Sequence, residues 1–380
     1  MSVFVIRMKK IVVACDSFKG CLSSSEIALT VAETIHTMDA GIAVETVPVA
    51  DGGEGTVEAL VAACDRPVTW ITCPVDAPLP ELPQVEARYA IDGNTAYMEL
   101  AEASGLTLVP AEQRDVMRAG TLGTGQMILD AVERGCTHIV MGLGGSATCD
   151  GGMGVMAALG VEFLDSLGHE LFPCAESVGK VFEIDCHGLR DDVLHTRITL
   201  FTDVTNPLCG PLGAARVFTP QKGATPQQVE ALEQGMLRYA RIIGDSAQQP
   251  GAGAAGGVAA GMTAFLFNCR IVAGAPFVLG QVKLASRIAG TDLVITGEGR
   301  IDGQTTLGKT PQAVAAIARQ QGVPVVALCG AVDAGVDAAA LGFERIIAVT
   351  PPHQPLAEAM QPQVACDNIR RAIAQIFSTL

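Results

Sequence analysis

Residues 299–311 read GRIDGQTTLGKTP, and Gly303, Gly308, Lys309 and Thr310 keep the spacing G-x-x-x-x-G-K-T with which some nucleotide-binding loops cradle phosphates. In such a loop the first glycine directly follows a strand, and the lysine and threonine lie inside the first helical turn. Here the strand-like apolar run ends near Thr296, and Pro311 follows Thr310. The spacing therefore predicts Thr310 as the N-cap and Pro311 as the first helical residue, a context that does not suit that motif. A lysine at a helix start still suits a phosphate. A solvated surface lysine is the alternative.

A second candidate is GLGGSATCDGG, residues 142–152, where Gly142, Gly144, Gly145, Gly151 and Gly152 surround Ser146 and Thr148. Glycines let backbone approach a ligand and present N–H groups as an anion nest. A tight turn needing positive φ is the plainer reading. Acidic residues are abundant at the ends of strand-like runs: Asp16, Asp51, Glu54, Asp150, Asp203, Glu298 and Asp302. Phosphoryl transfer needs one or two carboxylates for Mg²⁺, a group that accepts the alcohol proton, and cations for the moving charge. Asp16, Asp150 and Asp302 can equally serve as Asx-turn residues. None of the six histidines has a metal-like neighbour.

The elements that must position these groups read as parallel βα units. KIVVACDSFKG leads into a helix from about Ser24, with Ser23 and Glu26 at capping-box spacing. VETVPVADGGEGT and DLVITGEGRIDG repeat the pattern, and VPVVALCG and RIIAVTP add two strands. Two units lie at the N-terminus and the rest after residue 290, so one sheet gathers both chain ends. The middle differs, with proline-broken extended segments and two alternating runs around Asp92 and Gly93 that signal a hairpin. The expected fold is α/β: a Rossmann-like parallel-sheet domain from residues 1–62 and 288–380, with an inserted second α/β domain, 63–287. The polar clusters fall where open parallel sheets bind ligands, outside the carboxyl ends of strands.

Composition narrows the function class. The 380 residues are 49% apolar and only 4% aromatic, with 42 glycines, a profile of α/β enzymes. A formal charge of −15 argues against a nucleic-acid partner or a polybasic membrane anchor. Twelve cysteines form no C-x-x-C pair and read as reduced, small apolar residues of a cytoplasmic protein. MSVFVIRMKK has too short an apolar run for a signal peptide, and either Met1 or Met8 suits a translation start. GAGAAGGVAAGMTAFLF, 251–267, reads as a buried, close-packed segment rather than a membrane span.

Taken together, DSFKGCLSSSE, VPVADGGEGTVEAL, MELAEASGL, GTLGTGQ, GLGGSATCDGGMG, TDVTNPLCGPLGAARVFTPQKGA and VITGEGRIDGQTTLGKTP occur in one order along nearly the whole chain. In this the chain resembles the class I bacterial glycerate kinases. The resemblance implies ATP-dependent phosphorylation of D-glycerate, with 2-phosphoglycerate as product, and the two-domain architecture above. In that family the Gly308–Lys309 pair is typical and a glycine at 303 is not required. It implies ATP and Mg²⁺ in an interdomain cleft. Lys19, Lys309 and the backbone of residues 144–146 are expected on phosphates, with Gly308 and Thr310 beside them. Arg300 is expected on the glycerate carboxylate, with Ser17 and Thr148 also at the substrate. Asp203 is the first choice for activating the hydroxyl, and Asp51 and Asp302 lie nearer the metal. These roles permute without contradicting any residue. Phosphorylation at the 3-hydroxyl, and a non-catalytic sugar-acid or nucleotide sensor, are the rival readings. A dinucleotide oxidoreductase is disfavoured, because 142–152 lacks G-x-G-x-x-G spacing. A homodimer is compatible with all of this.

Overall fold

The computed structural model describes residues 8–53, 55–301 and 309–378. In chain order the strands are β1 (Lys10–Cys15), β2 (Ala43–Thr46), β3 (Thr69–Val75), β4 (Val85–Asp92), β5 (Thr95–Glu99), β6 (His138–Gly142), β7 (Glu162–Leu164), β8 (Glu183–Asp185), β9 (Arg197–Thr202), β10 (Cys269–Ala273), β11 (Leu293–Ile301), β12 (Val325–Val332) and β13 (Arg345–Ala348). The chain divides into two compact units. One comprises Met1–Asp51, Glu58–Ala63 and Gly274–Leu380, the other Gly52–Val57 and Cys64–Ala273.

The first unit holds a parallel sheet in the order β13-β12-β11-β1-β2. Its central strands are continuous apolar runs because a parallel sheet is covered on both faces. Ile11 to Cys15 and Val294 to Ile295 are fully buried. The helix Ser24–Met38 begins at the expected capping box, in which Ser23 Oγ accepts from the Glu26 N–H and Glu26 accepts from the Ser23 N–H. That helix buries Ile27, Val31 and Ile35 and packs against the C-terminal helix Pro362–Ser378.

Three expectations change here. β11 does not stop near Thr296 but runs to Ile301, because pairing with β12 continues through Arg300 opposite Ala331 and Ile301 opposite Val332. Extended backbone thus outlasts the apolar run, and the strand ends close to Gly303 instead of seven residues before it. The helix expected to open at Pro311 spans Thr310–Gln320, with Lys309 as its N-cap. Thr310 lies inside its first turn, because the Ala313 N–H donates to Lys309 O at 3.1 Å, and the Thr310 hydroxyl donates to Asp16 Oδ2 at 2.8 Å. The unit boundary also falls before Gly274 rather than at 288. The helices Gly274–Gln281 and Leu284–Ile288 pack on Thr310–Gln320 and bury Ala275, Val278, Leu284 and Ile288.

The second unit holds a mixed sheet in the order β10-β9-β6-β5-β4-β3. β5, β6, β9 and β10 are parallel, and β3 and β4 extend the sheet antiparallel. The hairpin expected at Asp92–Gly93 joins β4 to β5, with Asp92 opposite Thr95 and Gly93 at φ +61°. β7 and β8 form a separate antiparallel pair. Within 251–267 lies a buried turn followed by the helix Val258–Phe265. Among the described residues, no helix is long and apolar enough to cross a membrane.

Candidate active site

In the first unit, the carboxyl ends of β1, β11 and β12 open into a cavity of about 810 Å³. Asp16 leaves β1 beside β11, its N–H donating to Gly297 O at 2.8 Å. The cavity brings together Ser17, Lys19, Asp51, Arg300 and Lys309 from the expected site, along with Asp16 and Glu298. Gly308 and Asp302 lie outside the described residues, as does Glu54.

Charge is closely interleaved in this cavity. Lys19 Nζ meets Asp51 Oδ2 at 2.8 Å, and Lys309 Nζ lies 3.7 Å from Glu298 Oε2. Asp16 is buried and accepts from the Ser17 N–H at 2.7 Å as well as from Thr310. Burial first, and the negative charge of Asp51 second, lift its carboxyl to about 6 despite those two donors. Burial likewise raises Glu298 to about 7, against the pull of Lys309. Its Oε1 is buried and has no hydrogen-bond partner among the described residues. A carboxyl so displaced is poised to exchange protons near neutrality. Arg300, expected on a substrate carboxylate, instead directs its Nε and Nη2 to Asp333 Oδ1 at 3.0 and 2.7 Å. Thr310 is buried and its hydroxyl is committed to Asp16.

In the second unit, the glycine-rich loop follows β6, and Asp203 follows the neighbouring β9 at the same end of the sheet. Much of the glycine content there serves packing. A Cβ on Gly144 would stand 2.5 Å from the Gly53 Cα, and its N–H donates to Gly52 O. Gly151 faces the Tyr239 ring, and Gly154 the backbone of Thr121. Asp150, an open candidate on sequence, is structural: fully buried, it accepts from the Thr121 N–H and hydroxyl and from the N–H groups of Gly152 and Gly154. Burial raises its pKa, and those four donors oppose the rise.

Sequence reasoning passed over Lys222. Only 3% exposed, it donates to Ser146 Oγ at 2.8 Å and to Thr148 O at 2.7 Å. Burial lowers its pKa to about 8. This ammonium ties the two hydroxyl residues of the loop together, while the Thr148 hydroxyl is buried without a partner among the described residues. The residue sits in the block TPQKGA, but nothing local there marks a site residue, because its partners are more than seventy positions away.

Among the described residues, no three His, Cys, Asp or Glu side chains converge on a metal position. Asp51 and Asp16 are nonetheless close enough for one to raise the other's pKa, and such a pair has the hard oxygen chemistry of a Mg²⁺ site. Mg²⁺ commonly binds one or two carboxylates together with phosphates and water, so the residues present fit it.

A family model described as the glycerate kinase family matches residues 11–380. The chain is 41% identical to the glycerate 2-kinase of Escherichia coli K12, covering 98% of each chain. It is 38% identical to the glycerate kinase of Bacillus subtilis 168, covering 98% of this chain and 97% of the relative. The crystal structure of a provisionally named glycerate kinase 2 from Salmonella typhimurium LT2 superposes with a TM-score of 0.81 at 37% identity, covering 98% of each chain.

Proposed function

Because the chain belongs to the glycerate kinase family, whose members phosphorylate an alcohol group, we propose that it transfers the γ-phosphoryl group of ATP to the 2-hydroxyl of D-glycerate. The observation that carries this reading is the first unit's cavity, where Lys19 and Lys309 stand among Asp16, Asp51 and Glu298 at the carboxyl edge of a parallel sheet. The family resemblance and the E. coli relative's name support the 2-position.

In this reading Lys19 and Lys309 exchange their carboxylate partners for phosphate oxygens. The helix that Lys309 caps adds its N-terminal partial charge. Asp51 would hold Mg²⁺, with Asp16 behind it and Asp302 as a further ligand. The metal supplies charge neutralisation on the transferred group. Gly145 and Ser146 present backbone N–H groups to phosphate, and Lys222 keeps Ser146 in place. Asp203 accepts the proton of the attacking hydroxyl. Arg300 binds the glycerate carboxylate after leaving Asp333, with Ser17 and Thr148 completing substrate contacts.

The test is a coupled ADP-release assay with D-glycerate, glycolate and tartronate, followed by NMR of the phosphorylated product. Glycerate-dependent ADP together with a 2-phosphorylated product is expected. An absence of glycerate-dependent ADP would favour a sensor, and a 3-phosphorylated product would correct the position.

A further inference from the structure

We propose that the apolar wall which the segment after β13 gives the first unit's cavity is the seat of the ATP nucleobase, so that one cavity takes the nucleotide from base to phosphates. This rests on the ATP-donor reading above. The cavity's volume, about 810 Å³, belongs to the size class of sites for drug-sized ligands and far exceeds what a three-carbon hydroxy acid fills. Its wall follows the strand ends from β1 across β11 and β12 to β13, three strand spacings or roughly 14 Å. The charged groups cluster at the β1 and β11 strand ends. The chain after β13 gives the same cavity an apolar wall, Val349, Leu356, Ala359 and Met360, which returns toward β1, since the Met360 methyl stands 3.5 Å from where a Cβ on Gly20 would lie.

Leu356 is 73% exposed and Met360 39%, large apolar surfaces that a flat, weakly polar ring would cover. The lip of this wall is already ordered. Gln354 N–H donates to Pro351 O at 3.2 Å, closing a turn in which His353 adopts φ +70°, a conformation that non-glycine residues hold only when their surroundings fix it. Those surroundings are visible. Buried Asn368 donates to Gln354 Oε1 at 2.9 Å, Gln354 Nε2 donates to Glu358 at 3.0 Å, and Arg371 donates to Asn368. A rim ordered before binding loses little entropy when a ligand arrives.

Photolabelling with 8-azido-ATP, whose reactive group sits on the base, tests the seat directly. Label on the peptide spanning 349–366, competed by unlabelled ATP, is expected. Label confined to other peptides overturns the proposal. Leu356→Asp, an exposed substitution whose folding is checked by its melting curve, should raise KM for ATP at least tenfold and leave KM for glycerate within twofold. An unchanged ATP KM also overturns it. Competed label on 349–366 in a protein that releases no ADP with glycerate keeps the seat and rejects the reaction, so the two readings fail separately.

Discussion

Asp203→Asn keeps the size of the side chain at the end of β9 but removes its capacity to take a proton. If it is the base, kcat falls by about 10²–10⁴-fold while KM for glycerate changes little. Steady-state kinetics with turnover near the parent's would reject that role. Glu298 supports a prediction about stability. Its folded pKa of about 7 lies above its ordinary 4.5, and that of Asp16, about 6, above 3.8. The folded protein therefore keeps protons that the unfolded chain has released. The resulting stability is complete below the ordinary values and is lost as pH rises through 6 to 7. Urea midpoints of the nucleotide- and metal-free protein should fall from pH 5 to pH 8, and Glu298→Gln should flatten that slope. An undiminished slope in the variant would mean that burial of this carboxyl is not its source. Glu298 was visible in sequence only as one acid among seven. Its burial and its distance from Lys309 were not, since the helix that carries Lys309 is placed by packing.

At the scale of elements, Asp150 gathers the turns around residues 121 and 152–154 with four hydrogen bonds. Asp150→Ala leaves buried donors unpaired and should cost at least about 3 kcal/mol in denaturant unfolding. A loss under 1 kcal/mol would show that the turns hold without it. Lys222→Met separates position from stability. Removing a buried ammonium relieves its desolvation, so the melting temperature should stay near the parent's. The Ser146 loop loses its tether, and kcat/KM for ATP should drop about tenfold, or about 1.4 kcal/mol. An unchanged kcat/KM would make Lys222 a packing residue only. The capping box at Ser23 and the hairpin at Gly93 were legible because each is written in adjacent residues. The length of β11 was not, because Arg300 is extended by pairing with Ala331 on another strand.

For the molecule as a whole, all twelve cysteines are thiols, and Cys186 is exposed where Cys15, Cys73, Cys136, Cys149, Cys174 and Cys329 are buried. A maleimide should modify Cys186 first in the native protein, and dithiothreitol should leave the melting temperature unmoved. A reductant-sensitive transition would contradict this. The amino-acid sequence by itself determined the α/β class, the gathering of both chain ends into one parallel sheet, and which turns carry the polar groups, since apolar periodicity and glycine placement are local properties. It also carried the family blocks from Asp16 to Lys309. Only the tertiary structure decided which polar groups face a cavity and which are spent inside the fold. Asp16 meets Thr310 across 294 positions, and Lys222 meets Ser146 across 76. Such contacts depend on how whole elements pack, and burial, which sets the charge of Glu298 and Lys222, exists only once they have packed.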